Sequence, residues 1–412
     1  GYQGKLDEAL RVARIGMDIA GQAGDEWIAS LIRLALGASY LLDGDLSSSL
    51  EWLDQAVRGF HECSDSFGLS VARMWQCIAW YKQEAYELLL PTLVELFGIC
   101  QKNQYDFLLY KQTMMGLPDE RLIVPMLLWA RKNKISAGYV NRLLAGMGLD
   151  GIEMHPGYQL RVRMLGGFEV YRGKEPIAHS DWKREKTRQL FQLLLVHRNS
   201  PLDREQICEN LWPGAEAKVS QQNFKVALNA LYGVLEPSRT AGAESAYVLR
   251  EGAVYGLRPN CDISLDVDLF EKGVSKAELL IKSDLDGAIR AYKSAMAFYE
   301  GDFLPSARFA EWSAEEREHL VVLYLRSADK YCELSLKKHR YNDVISECQR
   351  ILAQDNCWER AYRHLMAAYD GLGDHGQMAR TYSRCVGALQ EELGIDPSPE
   401  TRDLYQQLTN PS

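Results

Sequence analysis

The stretch Ser220-Gln221-Gln222-Asn223-Phe224-Lys225-Val226-Ala227-Leu228-Asn229-Ala230-Leu231-Tyr232-Gly233-Val234-Leu235 decides the reading of the whole chain. At helical spacing Phe224, Leu228, Leu231 and Leu235 make one apolar stripe, while Gln221, Gln222, Lys225, Asn229 and Tyr232 fall on the other side. Pro237 stops this helix. Working backwards, Asp203 with Gln206 three residues later reads as the capping box of a short helix that closes at Trp212-Pro213-Gly214. Before it, Ser180-Asp181 predicts the cap of a helix whose apolar positions Leu190, Phe191, Leu194 and Leu195 share a stripe and which ends near Asn199-Ser200-Pro201.

Alternating segments bracket these helices. Leu160, Val162 and Met164 point one way and Gln159, Arg161 and Arg163 the other, and Gly166-Gly167 turns the chain into Phe168-Glu169-Val170-Tyr171. After the third helix, Tyr247-Val248-Leu249-Arg250 and Val254-Tyr255-Gly256-Leu257 flank a tight Glu251-Gly252 turn. Hairpin, three helices, hairpin is the order of a winged helix-turn-helix domain, here residues 158–260.

Both flanks are helical and repetitive. Leu6-Asp7-Glu8-Ala9-Leu10 and Leu46-Ser47-Ser48-Ser49-Leu50 align at an offset of 40, and Tyr40 and Trp80 share that offset. Asp25, Asp65 and Asp106 each precede an apolar-rich stretch, and Gly37-Ala38-Ser39 offers small residues where paired helices meet closely. Residues 1–115 therefore read as tetratricopeptide-like repeats, the first of them cut short, and 116–157 as a helical connector whose turn residues run from Asp150-Gly151 to His155-Pro156-Gly157. In residues 261–412, Tyr341 and His375 open equivalent helices 34 positions apart, the usual tetratricopeptide spacing. The expected fold is mainly α with a small α+β module: α-solenoid repeats flanking a winged helix.

Composition excludes several classes. The chain of 412 residues is 47% hydrophobic and 25% charged, without a low-complexity tract, which excludes disorder and collagen. The apolar run Leu122 to Ala130 is broken by Pro125 and is far shorter than the roughly 18 to 20 residues of a membrane helix, so no membrane partner is expected. Nine cysteines, with no CxxC pair, fit reduced thiols of a cytoplasmic protein rather than a disulfide framework or metal site. The opening Gly1 carries no leader features and fits a piece of a longer chain. Gly1-Tyr2-Gln3-Gly4-Lys5 lacks the spacing of a phosphate-binding loop, and the eight histidines form no HExxH. No enzyme activity and no cofactor are expected.

The net charge of −9 argues against a nucleic-acid partner, yet residues 158–260 hold 15 basic against 11 acidic residues, leaving 32 against 45 elsewhere. The third helix has what a major-groove helix needs: Gln and Asn bond adenine N6 and N7 bidentately, and Lys reaches guanine or phosphate. Gln221, Gln222, Lys225, Asn229 and Tyr232 are the candidates for base readout. An isolated polar face would read as merely solvated; the surrounding element order decides otherwise. Lys183, Arg184, Lys186 and Arg188 are expected in the first turns of the first helix, where cations oppose the macrodipole and phosphate contact supplies a motive. Lys218 just before the third helix and Arg250 at the wing tip complete the phosphate set, each equally readable as a solvated cation.

Three motifs here, Ser180 to Arg188, Leu211-Trp212-Pro213 and Asn223 to Leu231, resemble an OmpR/PhoB-type winged helix. Tyr299-Glu300-Gly301-Asp302-Phe303-Leu304-Pro305, Glu311-Trp312, Glu316-Arg317, Trp358 to Met366 and Glu392 to Thr401 resemble the bacterial transcriptional activator domain. Together, over roughly residues 158 to 410, they resemble the SARP-type activators (Streptomyces antibiotic regulatory proteins), and the N-terminal repeats are similar to the helical sensors of large MalT-like regulators. The resemblance implies a sequence-specific activator that binds direct repeats in double-stranded promoter DNA and contacts RNA polymerase or its σ factor through residues 214–219 and nearby surface. Where this family usually carries arginines at the end of the recognition helix, this chain has Asn229-Ala230 and Tyr232-Gly233, with Lys225 where arginine is common. Lower phosphate affinity follows, so specific binding is expected to need a homodimer or adjacent sites. The competing reading is a protein-interaction scaffold whose winged helix has lost DNA affinity. A third is control by a small-molecule or protein inducer at the N-terminal repeats, with Trp27, Tyr40, Trp52, Trp75 and Trp80 lining a groove; such aromatic stripes are more often core.

Overall fold

The computed structural model describes residues 5–409. Gly1 to Gly4, most of the stretch compared with a phosphate-binding loop, lie outside them. Five long helices open the chain: α1 (Leu6–Ala23), α2 (Glu26–Asp43), α3 (Leu46–Glu62), α4 (Ser66–Lys82) and α5 (Tyr86–Asn103). Their starts repeat the 40-residue offset. Side-chain caps explain the boundaries: Asp25 accepts from the Ile28 amide and Asp65 from those of Phe67 and Gly68, each satisfying a first-turn donor.

Asp106 breaks the series. It opens only a 3-10 turn, Asp106–Leu109, and its carboxylate accepts from the Tyr139 hydroxyl at 2.6 Å instead of capping a long helix. Gly116 and Pro118 follow too soon for a helix to grow, and α6 (Val124–Lys132) and α7 (Ala137–Gly146) close this part with shorter segments. The core here runs from Leu34 to Ile152. Trp75 is wholly buried in it, its Nε1 donating to the Met115 carbonyl, as the core reading of these aromatics has it, while Trp27 is exposed and donates to Asp65.

Gly37 sits where α2 and α3 approach closely. A Cβ there would lie 2.6 Å from Leu53 Cγ and 3.1 Å from the Ser49 carbonyl, while Ser49 Oγ donates to the Gly37 carbonyl at 2.7 Å. Gly37→Val is expected to lower stability by about 1–3 kcal/mol through overpacking. Gly98→Ala, on an open face of α5, is expected to hold or gain up to about 1 kcal/mol from helix propensity. Urea unfolding of both variants checks this; equal midpoints would remove the close-packing argument.

The middle segment contains β1 (Leu160–Arg163), β2 (Glu169–Arg172), β3 (Glu175–Pro176), α8 (Glu185–Val196), β4 (Leu202–Asp203), α9 (Arg204–Leu211), α10 (Ala217–Leu235), β5 (Val248–Glu251) and β6 (Val254–Leu257). β1 and β2 are antiparallel with Val162 opposite Val170, and β5 and β6 pair antiparallel with β4 on the outer edge of β6. The hairpin, three-helix, hairpin order is thus the observed one. Asp203 and Gln206 form the expected capping box, the Gln206 side chain accepting from the Asp203 amide.

Two helix starts differ from expectation. Ser180 and Asp181 lie in a 3-10 turn, His179–Trp182, and Asp181 accepts from the Ala178 amide; the helix begins only at Glu185. Trp182 explains the delay, since it buries itself against Phe191 and Phe168 and turns the chain, with Lys183 in the left-handed region at φ 58°. Lys183 and Arg184 therefore precede the helix. The third helix starts at Ala217, because Gly214 at φ 75° reverses the chain and the Glu216 carbonyl accepts from Val219 and Ser220, which places Lys218 inside the first turn.

β7 (Ile263–Leu265) pairs in parallel with β1, completing the four-stranded sheet β3-β2-β1-β7. The helices α11 (Asp266–Leu280), α12 (Leu285–Met296), α13 (Ala314–Lys337), α14 (Tyr341–Gln354), α15 (Glu359–Gly371), α16 (His375–Glu392) and α17 (Pro399–Thr409) follow, and the 34-residue spacing of α14 and α16 is as read. One apolar core extends from Leu160 to Leu389. Polar anchors reinforce this continuity: buried Asp266 accepts from the Met164 and Leu165 amides, and Arg198 pairs with Asp268, Glu271 and Glu316. The winged helix and the C-terminal helices form a single packed body. Among the described residues no helix is long and apolar enough to cross a membrane, and no group of His, Cys, Asp and Glu is arranged to hold a metal.

Candidate nucleic-acid interface

At about 100° per residue, Lys218, Gln221, Gln222, Lys225, Asn229 and Tyr232 fall on a single strip of α10. The opposite strip buries Phe224, Ala227, Leu228, Leu231, Val234 and Leu235. Phe224 meets Tyr255 of β6 edge to face at 4.8 Å, which fixes the helix against the wing. Gln222, Lys225 and Asn229 are exposed, and their side chains make no hydrogen bond or ion pair among the described residues. Gln221 is half-buried, in a hollow shared with Glu205, Glu209 and Trp212. Tyr232 is half-buried beneath Arg239, whose Cζ lies 4.3 Å from the ring centre. Three of the five base-reading candidates thus project freely.

The six phosphate candidates divide. Lys183, Arg184, Lys218 and Arg250 are exposed and have no acidic partner among the described residues. Lys186 instead donates to the Leu211 carbonyl and stands over Trp212, where desolvation pushes its ammonium pKa down. Arg188 faces Glu185 at 3.5 Å and covers Phe168. Both tie α8 to its surroundings, so the basic group expected in the first turns of that helix is partly spent inside the protein. The carboxylates of Glu205 and Glu209 on α9 line the hollow beside the N-terminal end of α10.

Two cations escaped the sequence reading. Arg204 opens α9 and its amide donates to the Ala253 carbonyl in the wing turn, which brings α9 and the wing together. Arg239 lies beyond Pro237, outside any helical period, so only the fold shows that it covers Tyr232. Behind α10, the Tyr158 hydroxyl donates to the Leu235 carbonyl at 2.7 Å, and buried Glu236 accepts from Ser245 Oγ and the Ala246 amide. The end of the helix is therefore held by Tyr158, the first residue after the linker, and by the loop that follows α10.

That linker is anchored by Asp262, which accepts from Arg121 Nε at 3.0 Å, His155 Nε2 at 3.2 Å and Gln159 Nε2 at 2.6 Å. His155 Nδ1 accepts from the Gly157 amide, so the ring proton sits on Nε2. Burial raises the Asp262 pKa, but the bonds from His155, Gln159 and Arg121, with the guanidinium charge, outweigh it and hold the carboxyl at about 2.

The geometry is that of a winged helix with a free polar strip, packed on a helical-repeat body. Residues 265–409 match the family described as bacterial transcriptional activator domain. The chain is 25% identical over 228 residues to the transcriptional regulatory protein MoaR1 of Mycobacterium tuberculosis, covering 54% of this chain and 71% of that one. It is 22% identical over 249 residues to the regulatory protein AfsR of Streptomyces griseus, covering 60% of this chain but only 24% of the relative. Among solved structures, Mycobacterium tuberculosis EmbR in complex with a low-affinity phosphopeptide superposes with a TM-score of 0.53 at 19% identity, over 61% of this chain and 65% of that one, a likeness of fold. Residues 265–409 thus carry a bacterial transcriptional activator domain, and the relatives that the chain resembles are named as transcriptional regulators.

Proposed function

We propose that the chain is a cytoplasmic, sequence-specific activator that lays α10 in the major groove of double-stranded promoter DNA. Gln222, Lys225 and Asn229 read base edges, while Lys183, Arg184, Lys218 and Arg250 hold phosphates. The observation that carries this reading is the exposed, unpartnered row Gln222, Lys225, Asn229 on a helix pinned by Phe224 and Tyr255. With four free cations the phosphate grip is modest, so two copies on direct repeats supply the affinity. Residues 214–219 and adjoining surface contact RNA polymerase or its σ factor, and the N-terminal repeats receive the inducing signal.

Selection of bound duplexes from a random pool by the full chain tests the reading. A direct repeat should emerge, with affinity falling steeply in salt at roughly 0.9 log units per phosphate contact. The scaffold reading draws on Glu205 and Glu209 beside α10; it gains if the folded chain enriches no sequence at low salt.

A further inference from the structure

A cavity of about 630 Å³ opens where α4, the 122–126 segment and the linker meet the loop that follows α10. This volume suits a small organic molecule. Ile78, Leu122, Met126 and Met154 give it an apolar wall. Its carboxylates are already engaged: Glu236 by Ser245 and Ala246, Glu244 by Arg258 at 3.0 Å. Its cations have donors to spare. Lys82 is exposed, has no acidic partner among the described residues, and has its ammonium pKa pushed down by the protein around it. Arg239 spends one guanidinium nitrogen on the Ala243 carbonyl and leaves its Nε buried without an acceptor. An unsatisfied buried donor is costly, and an anionic acceptor removes that cost.

We propose that this cavity binds a small organic anion, an apolar body carrying one acidic group, with Lys82 and Arg239 on the acid and the methionine wall on the body. Both sides of the junction contribute, so an occupant bridges the helical repeats and the winged helix. Arg239 also covers Tyr232, and Tyr158, another lining residue, holds the Leu235 carbonyl, so occupancy bears on the end of α10. That coupling to DNA rests on the function proposed above; the binding itself does not. If both hold, ligand and DNA must change each other's affinity by the same factor.

Titration of the full chain with 8-anilinonaphthalene-1-sulfonate, an aromatic anion whose fluorescence rises in apolar sites, reads the cavity directly. A saturable component of one probe per chain is expected, displaced by 1-naphthoate and not by its neutral methyl ester. Lys82→Met and Arg239→Met should each weaken it by about tenfold, the worth of a charge-assisted hydrogen bond. Ile15→Ser/Ile19→Ser, on the exposed apolar face of α1, should leave it unchanged. Circular dichroism confirms that each variant is folded. Unaltered affinity in both cation variants, loss only in the α1 variant, or no saturable binding by the folded chain overturns the site. Probe binding without any DNA binding keeps the site and overturns only the DNA reading.

Discussion

Asp262→Ala is expected to release the N-terminal repeats from the winged helix and to cost about 3–5 kcal/mol, the usual penalty for removing one partner of a buried ion pair. The carboxylate is a hub: one half-buried guanidinium, one imidazole and one amide converge on it from segments more than a hundred residues away in sequence. Alanine leaves Arg121 with Glu120 and the Met147 carbonyl and strands the Nε2 proton of His155, whose side chain is 1% exposed. The two apolar cores lie on either side of this junction, one ending at Ile152 and the other beginning at Leu160, so little apolar packing bridges them to compensate. Wild type is expected to unfold in urea as one coupled unit; the variant should show two transitions and faster proteolysis between residues 153 and 158. A single transition at the wild-type midpoint would show that Asp262 is not the anchor. Asp262→Asn keeps the volume and separates lost charge from lost packing.

The same residue sets an acid limit. Its folded pKa of about 2 lies below the ordinary carboxylate value, so its contribution is fully present above about pH 4 and is lost as the pH falls through 2. At roughly 1.4 kcal/mol per pKa unit this amounts to roughly 2 kcal/mol. Stability measured between pH 5 and 2 should therefore fall less steeply in Asp262→Ala than in wild type.

What the sequence made legible follows from what local physics decides. The Asp203–Gln206 box, the helix starts 40 and 34 residues apart and the polar strip of α10 follow from local caps and helical period; the box stands as read, the 40-residue series runs as far as α5, and three of the five strip residues are exposed. The start of α8 was misread because a cap pattern at Ser180-Asp181 competes with the burial of Trp182, and burial wins. Lys186 and Arg188 illustrate the harder problem. A basic residue at a helix start looks alike whether it faces phosphate or a neighbouring carbonyl, and only the packing of Leu211 and Phe168 distinguishes the two. The pairing of β7 with β1, and the junction at Asp262, join segments about a hundred residues apart and leave no periodic trace.

Lys225→Ala/Asn229→Ala is expected to weaken binding to the selected duplex by about 100- to 1,000-fold at fixed salt while leaving the melting temperature within a degree or two. Each bidentate base contact is worth about 1–3 kcal/mol of discrimination, and two losses in the middle of that span, about 1.4–2 kcal/mol each, give the stated factor. Stability is spared because both side chains are exposed and unpartnered, and alanine is the better helix former. The single variants separate the roles. Asn229→Ala should relax preference at one base position of each half-site and keep the salt slope, as expected for a neutral group reading a base edge. Lys225→Ala should do likewise if it meets guanine, or reduce the slope by about 0.9 with uniform weakening if it meets phosphate. Lys183→Ala and Arg184→Ala, exposed ahead of α8, should show only the second pattern. A double variant that binds the selected duplex as wild type does, at the same salt, would mean that α10 is not the reading helix, and the weight would pass to the scaffold function.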